Sequence, residues 1–217
     1  MCYSARVSLI TFIVALIFSV MLFTVNDPNY KIIGLFLGFI SLMQGIEFLL
    51  WKHQVCDTYH KSVSIMGMLL NHLQPLVLTM LLLHYNTKLS ETNKKYIYAL
   101  IVIYLVIMIP YSLQYVTNKN LQCTTQEPGN PHLIWNWNSM KYNEIAYVTY
   151  IIAVLILPLL GMPNKKMGKI VSGLTLITYL FSAFVYKRQV VGALWCYYSA
   201  LLPVFMYGYY LTDRNKV

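Results

Sequence analysis

Charged residues are scarce in this chain of 217 residues, because Asp, Glu, Lys and Arg together make up only 11% of it. A soluble domain carries about 25% charged residues. Apolar residues account for 58%, and the mean hydropathy is +0.57. This composition excludes disordered, fibrous and ordinary soluble proteins, together with a large domain outside a membrane. It predicts an integral membrane protein.

Seven apolar runs are long enough to cross a hydrocarbon core about 30 Å thick as helices. Each run is apolar on all sides, whereas transmembrane strands alternate apolar and polar residues. The sequence therefore predicts an all-α, polytopic membrane protein, with one transmembrane domain over residues 1–217 that forms a seven-helix bundle. The predicted helices are 7–25, 32–51, 62–83, 96–116, 145–162, 167–186 and 190–211, and the long outer loop is 117–144.

The first run lacks the features of a cleaved signal peptide, since Arg6 is the single cation before it and no small-residue cleavage pattern follows it. Seven spans place the two termini on opposite sides of the membrane. Lys and Arg number seven on the amino-terminal side and nine on the other, which favours an exoplasmic amino terminus and a cytoplasmic carboxyl terminus. The net charge of +9 lies in short loops, where topology and anionic lipids account for it, so no nucleic acid partner is expected.

The four cysteines all fall on the predicted amino-terminal side of the bundle or in the helix half nearest to it. Disulfides form there if that side is exoplasmic. We expect Cys56 to pair with Cys123, and Cys2 with Cys196 is the second candidate pair; four free thiols in apolar surroundings are the alternative. No Cys-x-x-Cys or Cys/His spacing supports zinc, so no metal is expected. The tryptophans lie on the same side and predict an interfacial aromatic belt: Trp51, Trp135, Trp137 and Trp195.

Polar residues inside the predicted helices mark the candidate site, because charge is costly in a bilayer. Glu47 is the only acidic residue well inside a span, and Gln44 and Trp51 share its helix face. The third run contains a polar segment near mid-membrane, in which Pro75 frees a carbonyl that neighbouring polar groups must satisfy. The candidate ion- or ligand-binding residues are Gln44, Glu47, Asn71, His72, Gln74, Trp195, Cys196, Tyr198 and Ser199.

Three interpretations of this polar cluster compete. In the first, it is a hydrogen-bonded network that fixes the helix register, with Glu47 protonated or bonded to His72 or Asn71. In the second, it surrounds an outward-facing cavity in which Glu47 and His72 bind a cation, relay a proton or hold a polar ligand. The third is a thiol enzyme with Cys196 as nucleophile and His72 as base. It lacks an orienting third residue, so no catalytic residue is assigned.

Several known seven-helix classes are excluded by missing residues. The last run contains no lysine for a retinal Schiff base, and the chain lacks the helix-three and helix-seven motifs of rhodopsin-like G-protein receptors. His72 is the only histidine inside a predicted span, whereas ceramidase-type hydrolases bind zinc with several His and Asp residues. No cofactor is therefore expected. Certain sugar carriers contain a Pro-Gln repeat, whereas this chain has the reverse order, Gln74-Pro75. No internal repeat relates its first three helices to the last three, so the similarity to those carriers is weak.

Four short motifs resemble those of a known family. They are Met1-Cys2-Tyr3-Ser4, Gln44-Gly45-Ile46-Glu47-Phe48 with Trp51, Asn71-His72-Leu73-Gln74-Pro75, and Trp195-Cys196. Together they resemble an uncharacterised family of small seven-span membrane proteins found in giant viruses of protists and in some bacteria. The resemblance covers most of the chain and implies a viral source, with the protein in a host or virion membrane. It also implies a shared pattern that consists of Cys2, Glu47, Asn71, His72, Gln74, Pro75 and Cys196.

The leading prediction is a small seven-helix membrane protein that conducts, carries or senses a small ion or polar solute through an outer-half cavity around Glu47 and His72. The runner-up is a receptor-like or structural partner of other membrane proteins that transports nothing. The expected partners are the lipid bilayer and a small ion or polar ligand. Whether the protein forms a homo-oligomer stays open, because small-residue helix faces serve contacts within one chain and between chains equally well.

Overall fold

A computed structural model of the protein describes residues 4–126, 132–185 and 191–214. These residues form seven α-helices, each long and apolar enough to cross a membrane by its length and composition. The predicted all-helical class and the seven apolar helices are thereby confirmed. The helices are α1 (Ala5–Phe23), α2 (Pro28–Lys52), α3 (Thr58–Tyr85), α4 (Glu91–Thr117), α5 (Asn143–Gly161), α6 (Lys165–Val185) and α7 (Val191–Arg214).

Most helices begin a few residues before the predicted apolar runs, because polar N-caps rather than hydropathy set their first residue. Asp57 accepts a hydrogen bond from the backbone N–H of His60 at the start of α3. Ser90 caps α4 in the same way. The polar first turns therefore extend α3 and α4 beyond the stretch that hydropathy alone detects. The predicted boundaries at residues 186 and 190 lie outside the described residues.

The helices form a closed ring, in which each packs against its neighbours in the chain and α1 packs against α7. Two further contacts, of α2 with α7 and of α3 with α5, cross the interior. α1 and α2 approach so closely that a Cβ on Gly34 would lie 2.6 Å from the carbonyl oxygen of Ser19. Only glycine allows that approach. The interior of the bundle is thus bounded chiefly by α2, α3, α5 and α7.

Exposed apolar side chains cover the outer faces of α1, α4 and α6. Ile17, Val106 and Phe184 are 52%, 68% and 84% exposed. In water an apolar surface of this extent would drive association, whereas hydrocarbon chains cover it without such a penalty. The exterior of the bundle therefore suggests a multi-pass membrane protein, in agreement with the composition.

The connection between α4 and α5 folds back onto one end of the bundle. Its strands β1 (Thr125–Gln126) and β2 (Leu133–Ile134) pair antiparallel, with Thr125 opposite Ile134. A short 3-10 helix follows at Asn136–Ser139. This connection is the predicted long loop, and it has secondary structure of its own.

A disulfide joins the α4–α5 connection to the α2–α3 connection. Cys56 and Cys123 form it, with their Cα atoms 5.8 Å apart, which confirms the preferred predicted pair. We call this end of the bundle the disulfide end. The second predicted pair is not formed, because Cys196 is a free, buried thiol of α7, and Cys2 lies outside the described residues.

The α4–α5 connection buries its two tryptophans inside the protein. Trp135 and Trp137 stack with their ring centroids 4.8 Å apart and are 1% and 0% exposed. Trp137 packs edge-on against Tyr115 of α4, and the hydroxyl of Tyr111 donates a hydrogen bond to its carbonyl. Trp195 of α7 is buried as well. The predicted interfacial belt is wrong for these three tryptophans, because their rings fill apolar space between protein elements.

Candidate functional site

Gln44 and Glu47 form a fully buried pair on α2. Nε2 of Gln44 donates a hydrogen bond to Oε2 of Glu47 at 2.8 Å, and both side chains are 0% exposed. Their i, i+3 spacing places them on one helix face, as predicted. The Glu47 carboxyl also interacts electrostatically with the thiol of Cys196. The pair therefore lies on the face of α2 that is buried inside the bundle.

His72 connects three helices through both of its ring nitrogens. Nδ1 lies 2.8 Å from the hydroxyl of Ser112 in α4, and Nε2 lies 3.2 Å from the hydroxyl of Tyr147 in α5. Ser112 donates its own proton to the carbonyl of Met108, so its oxygen accepts from Nδ1–H, while Nε2 accepts from Tyr147. The Tyr104 hydroxyl donates to the backbone carbonyl of His72 at 2.5 Å. The carbonyl that Pro75 frees is that of Asn71, four residues before it, so this bond is not the partner predicted for the proline.

The thiol of Cys196 lies beside Asn71. The amide Nδ2 of Asn71 is 3.8 Å from Sγ of Cys196, within hydrogen-bonding range for sulfur. His72 is bonded to Ser112 and Tyr147 instead. The structure therefore does not join Cys196 and His72 as nucleophile and base, and the thiol-enzyme interpretation loses its geometric basis.

Two buried amides of α3 have incomplete hydrogen bonding. The hydroxyl of Tyr150 donates to Oε1 of Gln74. Within the part of the chain that the structure describes, Nε2 of Gln74 and Oδ1 of Asn71 have no hydrogen-bond partner. An unpaired buried polar atom costs about 1–3 kcal/mol. Each of these atoms is therefore a place where a water or a ligand would supply the missing hydrogen bond.

A small cavity of about 30 Å³ lies between α2, α3, α5, α6 and α7. Gln74, Cys196 and Ser199 line it together with Trp195, and most of the remaining wall is aliphatic. A single water needs roughly 10–15 Å³ of such space. The small cavity therefore has room for about two waters and not for an organic solute.

A larger cavity of about 410 Å³ lies between α3, α5, α6, α7 and the 3-10 helix. We call it the aromatic cavity, because Tyr147, Tyr150, Tyr179 and Trp195 line it. Their rings form a chain of edge-to-face contacts with centroid distances between 5.4 and 6.2 Å. Pockets for small organic molecules occupy about 300–1,000 Å³ and combine aromatic walls with a few polar groups.

Amide and carboxylate side chains complete the wall of the aromatic cavity. They are Asn71 of α3, Asn138 of the 3-10 helix, and Asn143 and Glu144 at the start of α5. Glu144 is exposed and therefore lies at the rim, near the disulfide end. Oδ1 of Asn138, like that of Asn71, is buried without a hydrogen-bond partner among the described residues. The lining described by the structure contains no Lys, Arg or His.

The structure separates the predicted site residues into distinct groups. Asn71 and Trp195 line the aromatic cavity, whereas Glu47 and His72, the predicted centre, line neither of these two cavities. His72 instead connects α3 to α4 and α5, and Glu47 is bonded to Gln44 within α2. Tyr198 packs against the rings of Phe181 and Tyr197. The predicted cluster is thus divided into separate buried polar contacts, and two of its members, Asn71 and Trp195, line the aromatic cavity.

Six polar or aromatic residues of the aromatic cavity are not among the predicted site residues. The three tyrosines, in α5 and α6, have hydroxyl groups at similar depths, a signal that the sequence does contain. Asn138 has no such signal, because only the folding of the α4–α5 connection brings it to the wall. Glu144 falls in the predicted loop. The six residues are Asn138, Asn143, Glu144, Tyr147, Tyr150 and Tyr179.

Polar contacts outside the helices attach the connections to one another. The backbone N–H of His60 and then the ring of His53, 2.8 Å away, lower the pKa of the Asp57 carboxyl. His60 in turn lies 2.7 Å from the carbonyl oxygen of Thr124 in the α4–α5 connection. Among the described residues, no group of three or more His, Cys, Asp or Glu side chains could hold a metal ion.

The fold and the cavity together define a class: a bundle of seven helices of membrane-spanning length with a solute-sized cavity near its disulfide end. Comparisons with protein families, with curated proteins and with solved structures found no match to this chain. The resemblance to the viral and bacterial family therefore stays a prediction.

Proposed function

We propose that the seven helices cross a membrane and that the aromatic cavity binds a small polar solute, which the protein carries or senses. The observation that carries this proposal is the aromatic cavity itself, about 410 Å³ in volume, with four aromatic rings and three amide side chains in its wall. Its volume and its mixture of apolar and polar groups are typical of sites for small organic molecules.

The solute enters from the exoplasmic side in this proposal. The aromatic cavity reaches the surface near the disulfide end, where Glu144 is exposed. A disulfide forms in an oxidising compartment, and the excess of Lys and Arg at the opposite end favours the cytoplasm there. Both observations support an exoplasmic disulfide end.

Glu47 responds to the solute through one hydrogen bond, of Asn71 with Cys196, and one electrostatic interaction, of Cys196 with Glu47. Asn71 lines the aromatic cavity and bonds to Cys196, and Cys196 interacts electrostatically with Glu47. A solute that accepts or donates a hydrogen bond at Asn71 alters the first contact of this path. In a carrier, Glu47 would couple solute movement to protonation; in a receptor, the same path would report solute binding to α2.

Solute binding is tested on the purified protein in lipid nanodiscs with phenethylammonium, glycine, glucose and adenosine. A solute that binds the folded state raises the thermal unfolding temperature. Ala183 lines the aromatic cavity, so Ala183→Phe should fill it and abolish that rise. Ala99 is exposed on α4, and Ala99→Phe is the matched control that should retain it. A rise that persists unchanged in Ala183→Phe would contradict binding in this cavity.

Transport is tested in proteoliposomes with a proton gradient and the solute that binds. Solute-dependent proton flux that falls strongly in Glu47→Gln supports a proton-coupled carrier. If the wild-type flux is no greater than that of Glu47→Gln, the carrier version is wrong. The protein is then proposed as a receptor that binds the same solute. The two versions are therefore separated by flux, while binding is common to both.

A structural partner protein is the second candidate function. The observation that favours it is the enclosed Gln44–Glu47 pair, which is 0% exposed and borders neither of the two cavities. In this version Glu47→Gln changes stability and leaves flux unaltered. The family resemblance, the viral source and the host or virion membrane belong to the proposal as expectations. Electron microscopy of immunolabelled virions from the source would test them.

A further inference from the structure

We infer that the solute of the aromatic cavity is a small organic ammonium ion that carries N–H donors. This inference rests on the proposed function and specifies the chemistry of its solute. It depends on three features of the wall that point to the same ligand: the aromatic rings, the carboxylate of Glu144 at the rim and the unpaired amide oxygens of Asn71 and Asn138.

The aromatic rings are the first feature. Tyr147, Tyr150, Tyr179 and Trp195 come from α5, α6 and α7 and surround one space. The faces of such rings carry negative electrostatic potential and attract cations, most strongly where water is excluded. Grouped aromatic rings recognise quaternary ammonium ligands in this way. A carboxylate ligand would meet the same faces unfavourably.

The charge of the wall is the second feature. Glu144 lies at the rim and is the only charged side chain of the described lining. A carboxylate at the entrance attracts a cation at long range, and salt screens this attraction. The connection between α6 and α7 carries Lys187 and Arg188 in the sequence. Because these two cations would attract an anion, the test includes an anionic probe.

The unpaired amide oxygens are the third feature. Oδ1 of Asn71 and Oδ1 of Asn138 are buried, have no partner among the described residues, and belong to side chains that line the aromatic cavity. Both oxygens accept hydrogen bonds only. Rotation about the broad terminal torsion of each amide turns its oxygen toward the ligand. An ammonium group supplies up to three donors, whereas an ether or a carboxylate supplies none.

The test measures binding of three probes of similar shape to the full chain in nanodiscs, by calorimetry at pH 7. The probes are phenethylammonium, the neutral 2-phenylethanol and the anionic 3-phenylpropanoate. We expect phenethylammonium to bind about tenfold more tightly than the alcohol, and the anion not to bind. N,N,N-trimethylphenethylammonium, which has no N–H, should bind more weakly than the primary ammonium.

Two matched substitutions test the groups involved. Glu144→Gln should weaken phenethylammonium binding about threefold at low salt and by less at high salt. Tyr179→Leu removes an aromatic ring and should weaken phenethylammonium binding about tenfold. Tyr179→Phe keeps the ring and should leave the binding unchanged. Tyr98→Leu removes an exposed tyrosine of α4 and serves as the control for a ring outside the cavity.

Each outcome separates this inference from the proposed function. Equal binding of the alcohol, or tighter binding of the anion, would overturn the ammonium class and leave a solute site in place. If glucose or adenosine stabilises the protein and phenethylammonium does not, the ammonium class is again overturned and a solute site remains. Absence of binding by every solute and probe would overturn the proposed function itself. Binding of phenethylammonium that survives Ala183→Phe would mean membrane partitioning and would also overturn the inference.

Discussion

The buried polar side chains Glu47 and His72 are hydrogen-bonded to other protein side chains, within one helix or between helices. Glu47 is bonded to Gln44 in its own helix and His72 to Ser112 and Tyr147 in two others. Such bonds are retained because a buried polar group without a partner is costly. The residues that attract attention in the sequence are therefore not those with most access to a solute.

The Gln44–Glu47 bond yields a prediction about stability. Glu47→Leu leaves Nε2 of Gln44 buried without its acceptor and should lower the free energy of unfolding by about 1–3 kcal/mol. Glu47→Gln keeps an acceptor oxygen and should cost much less. Thermal and denaturant unfolding in detergent measures both. Glu91→Gln, at an exposed ion pair with Lys94, is the control that should change nothing. Equal destabilisation by Leu and Gln would mean that the charge itself is required.

The lowered pKa of Asp57 predicts that the stability of the first turn of α3 depends on pH. The backbone N–H of His60 and the ring of His53 lower the pKa of its carboxyl below the usual 3.8. A depressed pKa in the folded state means that the stabilisation is complete above pH 3.8 and is lost as the pH falls through the lowered pKa. Hydrogen exchange of the first turn of α3, corrected for intrinsic rates, should report this loss of protection.

Asp57→Asn is the matched control for that experiment. Asparagine keeps a side-chain oxygen that caps the helix, but it does not titrate in this range. Protection of the first turn should therefore stay constant in Asp57→Asn while it declines in the wild type. A parallel decline in both proteins would assign the effect to another group.

The elements differ in how well their sequence predicts them. The seven helices follow from long apolar runs, and their true first residues follow from N-caps such as Asp57 and Ser90. The α4–α5 connection was placed correctly as a long loop, but not its strands, its 3-10 helix or its packing. Its fold depends on contacts with helices distant in the sequence, such as that of His60 of α3 with the carbonyl oxygen of Thr124.

The disulfide yields a prediction about that connection. Cys56 and Cys123 are 67 residues apart, and a chain-entropy estimate for a loop of that size is about 4 kcal/mol. Helices that persist in the unfolded state reduce this value. Cys56→Ser and Cys123→Ser should lower the unfolding temperature equally and expose the connection to proteolysis. Cys196→Ser, which removes a free thiol, should leave the α4–α5 connection protected from proteolysis.

Alkylation tests the pair directly. With Cys2 and Cys196 replaced by Ser, the denatured protein should react with no maleimide before reduction and with two after it. Two reactive thiols before reduction would reject the disulfide in the protein as it is made in the cell.

The orientation of the whole bundle gives the final prediction. If the disulfide end is exoplasmic, a cysteine at exposed Asn118 should react with an impermeant maleimide on intact cells. A cysteine at exposed Thr87, in the connection between α3 and α4, should react only after permeabilisation. Both variants need a background in which Cys2 and Cys196 are replaced by Ser. The reversed labelling pattern would invert the proposed direction of solute entry.

The amino-acid sequence alone determined the class, the number of helices, the preferred disulfide and the burial of the polar residues. The class, the helices and the burial depend on composition, on local periodicity and on the cost of charge in hydrocarbon, and each is readable within one segment. The disulfide follows instead from two cysteines in connections on the same predicted side of the bundle. The prediction of Asn71 as a site residue follows from its polar side chain inside a predicted span.

The tertiary structure alone decided where a solute-sized space exists. The aromatic cavity depends on how α5, α6 and α7 separate and on how the α4–α5 connection brings Asn138 to its wall. A cavity is the volume that packed side chains leave unfilled. It has no signal in any single segment, because it depends on the distances between all of them.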